Sequence, residues 1–235
     1  MHLVWDWNGT LFDDLEVVVR SVNAVLATVE GPTIDADVYR THYTRPVKLF
    51  YDRLLGREFT MEEWLELDSH FHEVYVAALD TAFLTSDARL ALEKVAAGGH
   101  TQSLLSMLPH ELLMPLIDRF EIGHYFDRID GHRGDEGTPG DFKTEYLVRH
   151  LRVLTRGDEP GTVAVIGDTP DDAVAALAVG ARVVLYEGGS HHRSDLDEVG
   201  VPVVASLLEA VELALEDQGS GARDQESDSD AISDP

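Results

Sequence analysis

Two aspartates stand at the ends of two apolar runs far apart in this chain, and what they could hold together is a hard cation. The first run is Leu3-Val4-Trp5, followed by Asp6, Trp7 and the turn-forming pair Asn8-Gly9. The second covers residues 162–166 and leads into Gly167-Asp168-Thr169-Pro170-Asp171-Asp172. Short apolar runs bounded by turn signals suit strands buried on both faces, as in a parallel sheet. The carboxyl ends of such strands converge on a ligand crevice. Carboxylates gathered there call for a cation with oxygen ligands, so Asp6 and Asp168 are expected to hold one Mg²⁺. Asp172 also reads as part of a helix start, with Thr169 as N-cap, Pro170 at N1 and an acid at N3. Capping and support of a metal are compatible.

A sheet that delivers both aspartates needs further strands and the helices between them. Asp13-Asp14-Leu15-Glu16 predicts a helix start with acids in its first turn, running to Glu30-Gly31-Pro32. Helical patterns follow at about 35–42, 46–55 and 61–78. The last places Trp64, Leu67, Phe71, Val74 and Ala78 at helical spacing, as a packing face. No strand pattern interrupts residues 15–80. A helix at about 86–97 passes through Gly98-Gly99 into a strand at 102–106, which Ser106 ends before Pro109 starts another helix. The glycines and prolines of 131–140 predict a loop. Asp141 is expected to cap the next helix, whose first turn carries Lys143; a cation there opposes the macrodipole unless it faces a bound anion. A small-residue helix at 173–178, a strand at 182–186 and a last helix at 206–215 complete the pattern. His191 and His192 follow two glycines but lack a third partner at ligand spacing, which predicts a surface loop.

Composition removes several function classes. Net charge is −26, from 44 acidic and 18 basic residues, which disfavours nucleic acids and anionic membranes as partners. With no cysteine there is no disulfide, thiol nucleophile or cysteine metal site. The start shows no basic segment followed by an apolar run, so a soluble, cytoplasmic protein is expected. The last stretch, 217–235, is rich in Gly, Ser and acids and predicts a disordered acidic tail. Lysines are scarce, only Lys48, Lys94 and Lys143, which makes the placement of Lys143 notable.

Asp6 to Leu11, Ser106, Lys143 and Gly167 to Asp172 occur in the order of the haloacid dehalogenase superfamily's phosphatase motifs. Over roughly residues 2–210 the chain resembles that superfamily, and its phosphoglycolate phosphatase-like members in particular. The resemblance implies an α/β fold: a Rossmann-like parallel core from 1–14 and 81–216, with an inserted all-helical cap at 15–80. It implies that Asp6 attacks phosphorus to form an aspartyl-phosphate. Mg²⁺ would be held by Asp6, the main-chain carbonyl of Asn8 and Asp168, supported by Asp172. Thr10, Ser106 and Lys143 would hold the phosphoryl group of a small phosphorylated metabolite.

One position departs from the pattern. The superfamily's second aspartate, which protonates the leaving group and then activates water, is Asn8 here. An amide can hydrogen-bond but cannot exchange a proton near neutral pH, and general acid–base help is worth roughly 10²–10⁴-fold. Good leaving groups, a different acid, a phosphate-binding module with little turnover, or deamidation at Asn8-Gly9 would each accommodate it. Phosphonate-type C–P hydrolases also replace this aspartate and use a cap lysine, for which Lys48 is the one candidate. Arg45 is expected to grip the non-reacting end of the substrate.

Overall fold

The computed structural model describes residues 1–133, 143–154 and 163–216. Most of the expected loop at 131–140, the cap residue Asp141 and the expected tail at 217–235 lie outside these residues.

Six parallel strands form the main sheet, in the order β5-β4-β1-β6-β7-β8. They are β1 (His2–Trp5), β4 (Thr101–Pro109), β5 (Arg128–His132), β6 (Val163–Gly167), β7 (Arg182–Tyr186) and β8 (Val203–Val204). The two strands read most clearly from sequence, β1 and β6, are neighbours at the centre, with Trp5 opposite Ile166. Both are apolar on both faces because both faces are covered. On one side Leu3, Trp5, Leu104 and Ile166 pack with α5 (Ala88–Ala97), α6 (His110–Arg119) and α10 (Leu207–Leu215). On the other, Val4, Leu105, Val165 and Leu185 pack with α7 (Lys143–Leu154), α8 (Pro170–Ala178) and α9 (Arg193–Asp197).

Four helices lie between the paired two-residue strands β2 (Phe12–Asp13) and β3 (Phe83–Leu84). They are α1 (Leu15–Thr28), α2 (Ala36–His42), α3 (Val47–Leu55) and α4 (Met61–Ala78). They share an apolar cluster of their own, including Val22, Leu26, Tyr39, Phe50 and Leu67.

Local structure differs from the sequence reading at three places. β4 continues past Ser106 to Pro109, with its register to β5 broken between Leu105 and Pro109. β5 occupies the start of the expected loop, and Gly131 is needed there because a Cβ would come within 2.7 Å of the His110 Cα. Asp14 stands at the N-cap position of α1 but makes no capping hydrogen bond. Its carboxylate is engaged elsewhere.

Candidate active site

The crevice begins one residue past the last paired position of β1. The Asp6 N–H donates to the Ile166 carbonyl at 2.9 Å, which fixes Asp6 beside the end of β6. The chain then turns tightly, with Phe12 N–H donating to the Trp7 carbonyl at 2.9 Å. Trp7 stacks on Phe12 at 5.0 Å between ring centroids, so buried aromatics anchor the turn from beneath. Gly9 is required twice over. Its φ is +72°, and a Cβ would lie 2.5 Å from Asp168 Oδ2.

Asp168 follows β6 directly, and Asp172 lies in the first turn of α8. There Thr169 and Asp172 form the expected capping box, with Thr169 N–H donating to Asp172 Oδ2 at 3.0 Å. One oxygen from each of Asp6, Asp168 and Asp172 lies within 4.8 Å of the others. Lys143, the first residue of α7, pairs with Asp6 Oδ1 and, at 2.5 Å, with Asp172 Oδ1. The Thr10 hydroxyl lies 3.2 Å from Asp168 Oδ1 and 3.4 Å from Asp6 Oδ2. Ser190 closes the ring, its N–H and hydroxyl both donating to Asp168 Oδ2. A Cβ on Gly189 would fall 2.0 Å from that same oxygen.

The electrostatics ask for more positive charge than the described residues supply. Burial raises the Asp6 pKa to about 6, against the opposing pull of the Lys143 ammonium. Burial also raises Asp168, helped by Asp6 and Asp172. Burial works to lower the Lys143 pKa, but Asp172 and Asp6 outweigh it and the ammonium is held above its ordinary value. Asp172 is lowered, because Lys143 and the Thr169 hydrogen bonds overcome its burial. Three buried carboxylates face one ammonium, and their oxygen donors fit a divalent cation.

Asn8 belongs to a second, smaller group. Its amide donates to Asp14 Oδ2 and to the Tyr75 hydroxyl, both at 2.8 Å. Tyr75, on α4, donates to Asp14 Oδ2 at 2.5 Å, and Gly9 N–H donates to Asp14 Oδ1 at 3.1 Å. Burial raises the Asp14 pKa, opposed by these donors. Both hydrogens of the Asn8 amide are therefore committed within the protein. The packing face expected on α4 included Val74; Tyr75 is the residue that is buried, four positions after Phe71. No sequence signal marks Tyr75, and Asp14 reads as a helix cap in the sequence.

Between the crevice and helices α1 to α4 lies a cavity of about 960 Å³. Asp6, Asn8, Lys143 and Asp168 line its floor, and Arg45 also lines it. Arg45 pairs with Asp171 at 3.4 Å. Lys48 does not line it and pairs with Asp52 at 2.7 Å. Ser106 is buried, its Oγ accepting the Leu108 N–H at 3.0 Å. The expected surface loop with His191 and His192 is a docking point for α2. Arg40 donates to the Gly189 and Gly188 carbonyls at 2.9 and 3.1 Å, and Tyr43 meets the His191 ring edge-on. No sequence signal marks Arg40.

The family model for haloacid dehalogenase-like hydrolase matches residues 1–180. Phosphoglycolate phosphatase 1 of Pseudomonas aeruginosa is 26% identical over 256 residues, covering 98% of this chain and 88% of that protein. Two solved structures share the fold. One, from Lactobacillus delbrueckii subsp. bulgaricus, has a TM-score of 0.77 at 15% identity, covering 92% of this chain and 98% of that one. The other, a haloacid dehalogenase-like family hydrolase from Streptococcus pneumoniae, has a TM-score of 0.74 at 20% identity, covering 90% and 97%. No described helix is long and apolar enough to cross a membrane.

Proposed function

Since this chain belongs to the haloacid dehalogenase-like hydrolases, we propose that it hydrolyses a small phosphorylated metabolite of the cytoplasm through a covalent phospho-Asp6. The observation that carries this reading is the position of Asp6: on the cavity floor, clamped by Lys143 and grouped with two further buried carboxylates. Asp6, Asp168 and the main-chain carbonyl of Asn8, with Asp172 in support, would hold Mg²⁺, which when bound supplies positive charge against the phosphoryl oxygens. An oxygen of Asp6 forms a bond to phosphorus as the ester P–O bond breaks. Water then attacks phosphorus, releasing phosphate and freeing Asp6. Lys143 holds the Asp6 carboxylate in place and neutralises charge on the transferring group. Thr10 and Ser106 complete the phosphoryl site, and Arg45 meets the far end of the substrate. Asn8 orients by hydrogen bonding but passes no proton.

In this reading residues 15–80 act as a cap over a core of 1–14 and 81–216, excluding water from the reacting group. The contacts of Tyr75 with Asn8 and of Arg40 with the 188–189 carbonyls support it, since both tie a helix of this segment to the crevice. The test is phosphate release from a panel of phosphorylated metabolites, with Mg²⁺ and with EDTA. Release that EDTA abolishes and Asp6→Asn eliminates is expected. Release indifferent to both would overturn the mechanism, and no release from any ester would overturn the function.

A further inference from the structure

The cavity above Asp6 is far larger than a two-carbon phosphate ester needs. Its volume, about 960 Å³, lies at the upper end of the roughly 300–1,000 Å³ usual for sites that enclose drug-sized ligands. Its upper wall is apolar and aromatic, built from Val18, Tyr39, Phe50, Tyr51, Trp64 and Phe71. A small charged ester would leave most of that space to water beside the nucleophile, against the exclusion that phosphoryl transfer in a closed site depends on.

The charges point the same way. Arg45 and Lys143 are the only arginine and lysine among the described lining residues, and each is already paired, Arg45 with Asp171 and Lys143 with Asp6 and Asp172. Asp14 and Asp68 add further acids to the lining. A second anionic group on the substrate would compete with Asp171 for Arg45 in a lining that adds further acids, whereas an uncharged far end meets Arg45 and leaves that pair intact.

Asn8 supplies an independent argument. When the ester bond breaks, its electron pair leaves on the ester oxygen, and both hydrogens of the nearest amide are held by Asp14 and Tyr75. A phenol, with a pKa of about 10, departs as its anion without a proton. An aliphatic alkoxide, closer in basicity to hydroxide (water pKa about 15.7), does not.

We propose that the substrate is an aryl phosphomonoester, its ring seated against the aromatic wall and its phenolic oxygen the leaving group. This rests on the phosphatase reading above and goes beyond the two-carbon ester that the relative's name implies. The leaving phenolate carries the electron pair of the broken P–O bond and takes its proton from solvent after release, while phosphate leaves after water attacks phospho-Asp6.

The experiment has two arms on the full chain with Mg²⁺. In turnover, kcat/KM for phenyl phosphate and 2-naphthyl phosphate should exceed that for 2-phosphoglycolate and ethyl phosphate by at least tenfold. In competition or calorimetry, phenylphosphonate should bind at least tenfold more tightly than methylphosphonate or phosphonoacetate, which removes leaving-group chemistry from the comparison. Good turnover of the small esters with equal or reversed phosphonate affinities overturns the aryl assignment and leaves the phosphatase standing. No turnover of any ester overturns the phosphatase reading, and the aryl assignment falls with it; selective phenylphosphonate binding would then mark only an aromatic binding site. Aryl turnover without the phosphonate difference also overturns the assignment, since the wall then contributes nothing.

Discussion

One helix serves two buried polar clusters, and only one of them opens onto the cavity. Lys143 and His150 are seven residues apart on α7, two turns along one face. Lys143 reaches Asp6 and Asp172 at the carboxyl end of the sheet. His150 reaches sideways into the sheet: its Nδ1 lies 2.7 Å from Asp130 Oδ2 and its Nε2 2.8 Å from Ser103 Oγ. Serine, histidine and carboxylate in that order are the groups of a nucleophilic hydrolase. Yet Ser103 is 0% and His150 1% exposed, and neither lines the cavity, whereas Asp6 forms its floor. The hydroxyl of Ser103 also meets His2 Nε2 at 2.8 Å, and His2 Nδ1 meets the Thr101 hydroxyl at 2.8 Å. Asp130 can only accept, and each ring nitrogen of His2 and His150 has a partner in the chain that links Thr101, His2, Ser103, His150 and Asp130. That cluster is satisfied from within. The carboxylate cluster, short of positive charge and open to a cavity, is not. Access and an unmet charge, more than the residue types, distinguish the two clusters.

The largest expected effect comes from Lys143→Met. It leaves three buried carboxylates with no described cation among them, a loss of the kind worth roughly 3–5 kcal/mol of stability. It should also cost about 10²–10³-fold in kcat, the scale of a removed charge-stabilising donor. Thermal unfolding should fall in EDTA and recover with Mg²⁺ by a wider margin than in the wild type. A variant whose stability ignores Mg²⁺ would break the idea that this cluster is one cation short.

His150→Ala should give the opposite pattern. Removing a fully buried, doubly bonded ring should cost about 2–4 kcal/mol, or roughly 5–15 °C in Tm, with turnover per folded molecule within about twofold of wild type. A collapse of turnover in a protein that still unfolds cooperatively would mean that the sealed cluster does chemistry after all.

These contrasts also mark what the sequence could and could not disclose. The sheet centre was legible because β1 and β6 are apolar on both faces and each stops at an aspartate, a local pattern. The Thr169–Asp172 box was legible for the same reason. The parallel α/β architecture followed from them. The link among Asn8, Asp14 and Tyr75 was not, since it joins residues 61 positions apart and hides Asp14 in a cap position. Nor was the extension of β4 past Ser106, where the register breaks and no regular alternation survives. The Ser103–His150–Asp130 group is not legible either, because its members come from three elements with nothing in their spacing to join them.

Asn8→Asp sharpens the open side of the comparison. It would replace an amide donor 2.8 Å from the Asp14 carboxylate with a second acid, and the two would share a proton with Tyr75 nearby. A carboxylic acid at this point can protonate a leaving group. For ethyl phosphate kcat should rise at least tenfold; for phenyl phosphate it should change by less than threefold. Equal gains on both would show that Asn8 limits something other than departure of the alcohol.

The smallest effect tests the sealed side through pH. Burial first, and the neighbouring His150 second, lower the His2 pKa from 6.5 to about 4, against a smaller opposing pull from Asp127. The folded ring therefore stays neutral at acidities where the unfolded chain has taken up a proton. Its contribution to stability is complete above about pH 6.5 and is lost as pH falls toward 4, at a limiting slope of about 1.4 kcal/mol per pH unit for one proton. His2 is only partly buried, and solvent screening should leave on the order of 1 kcal/mol of that. His2→Gln keeps a donor and an acceptor but does not titrate. The difference between ΔG of urea unfolding at pH 7 and at pH 5 should shrink by that amount in the variant. Turnover, measured against pH, should superimpose on the wild type, because the cluster has no path to the cavity. A shifted activity profile would connect the two ends of α7, and the contrast drawn from their burial would fail.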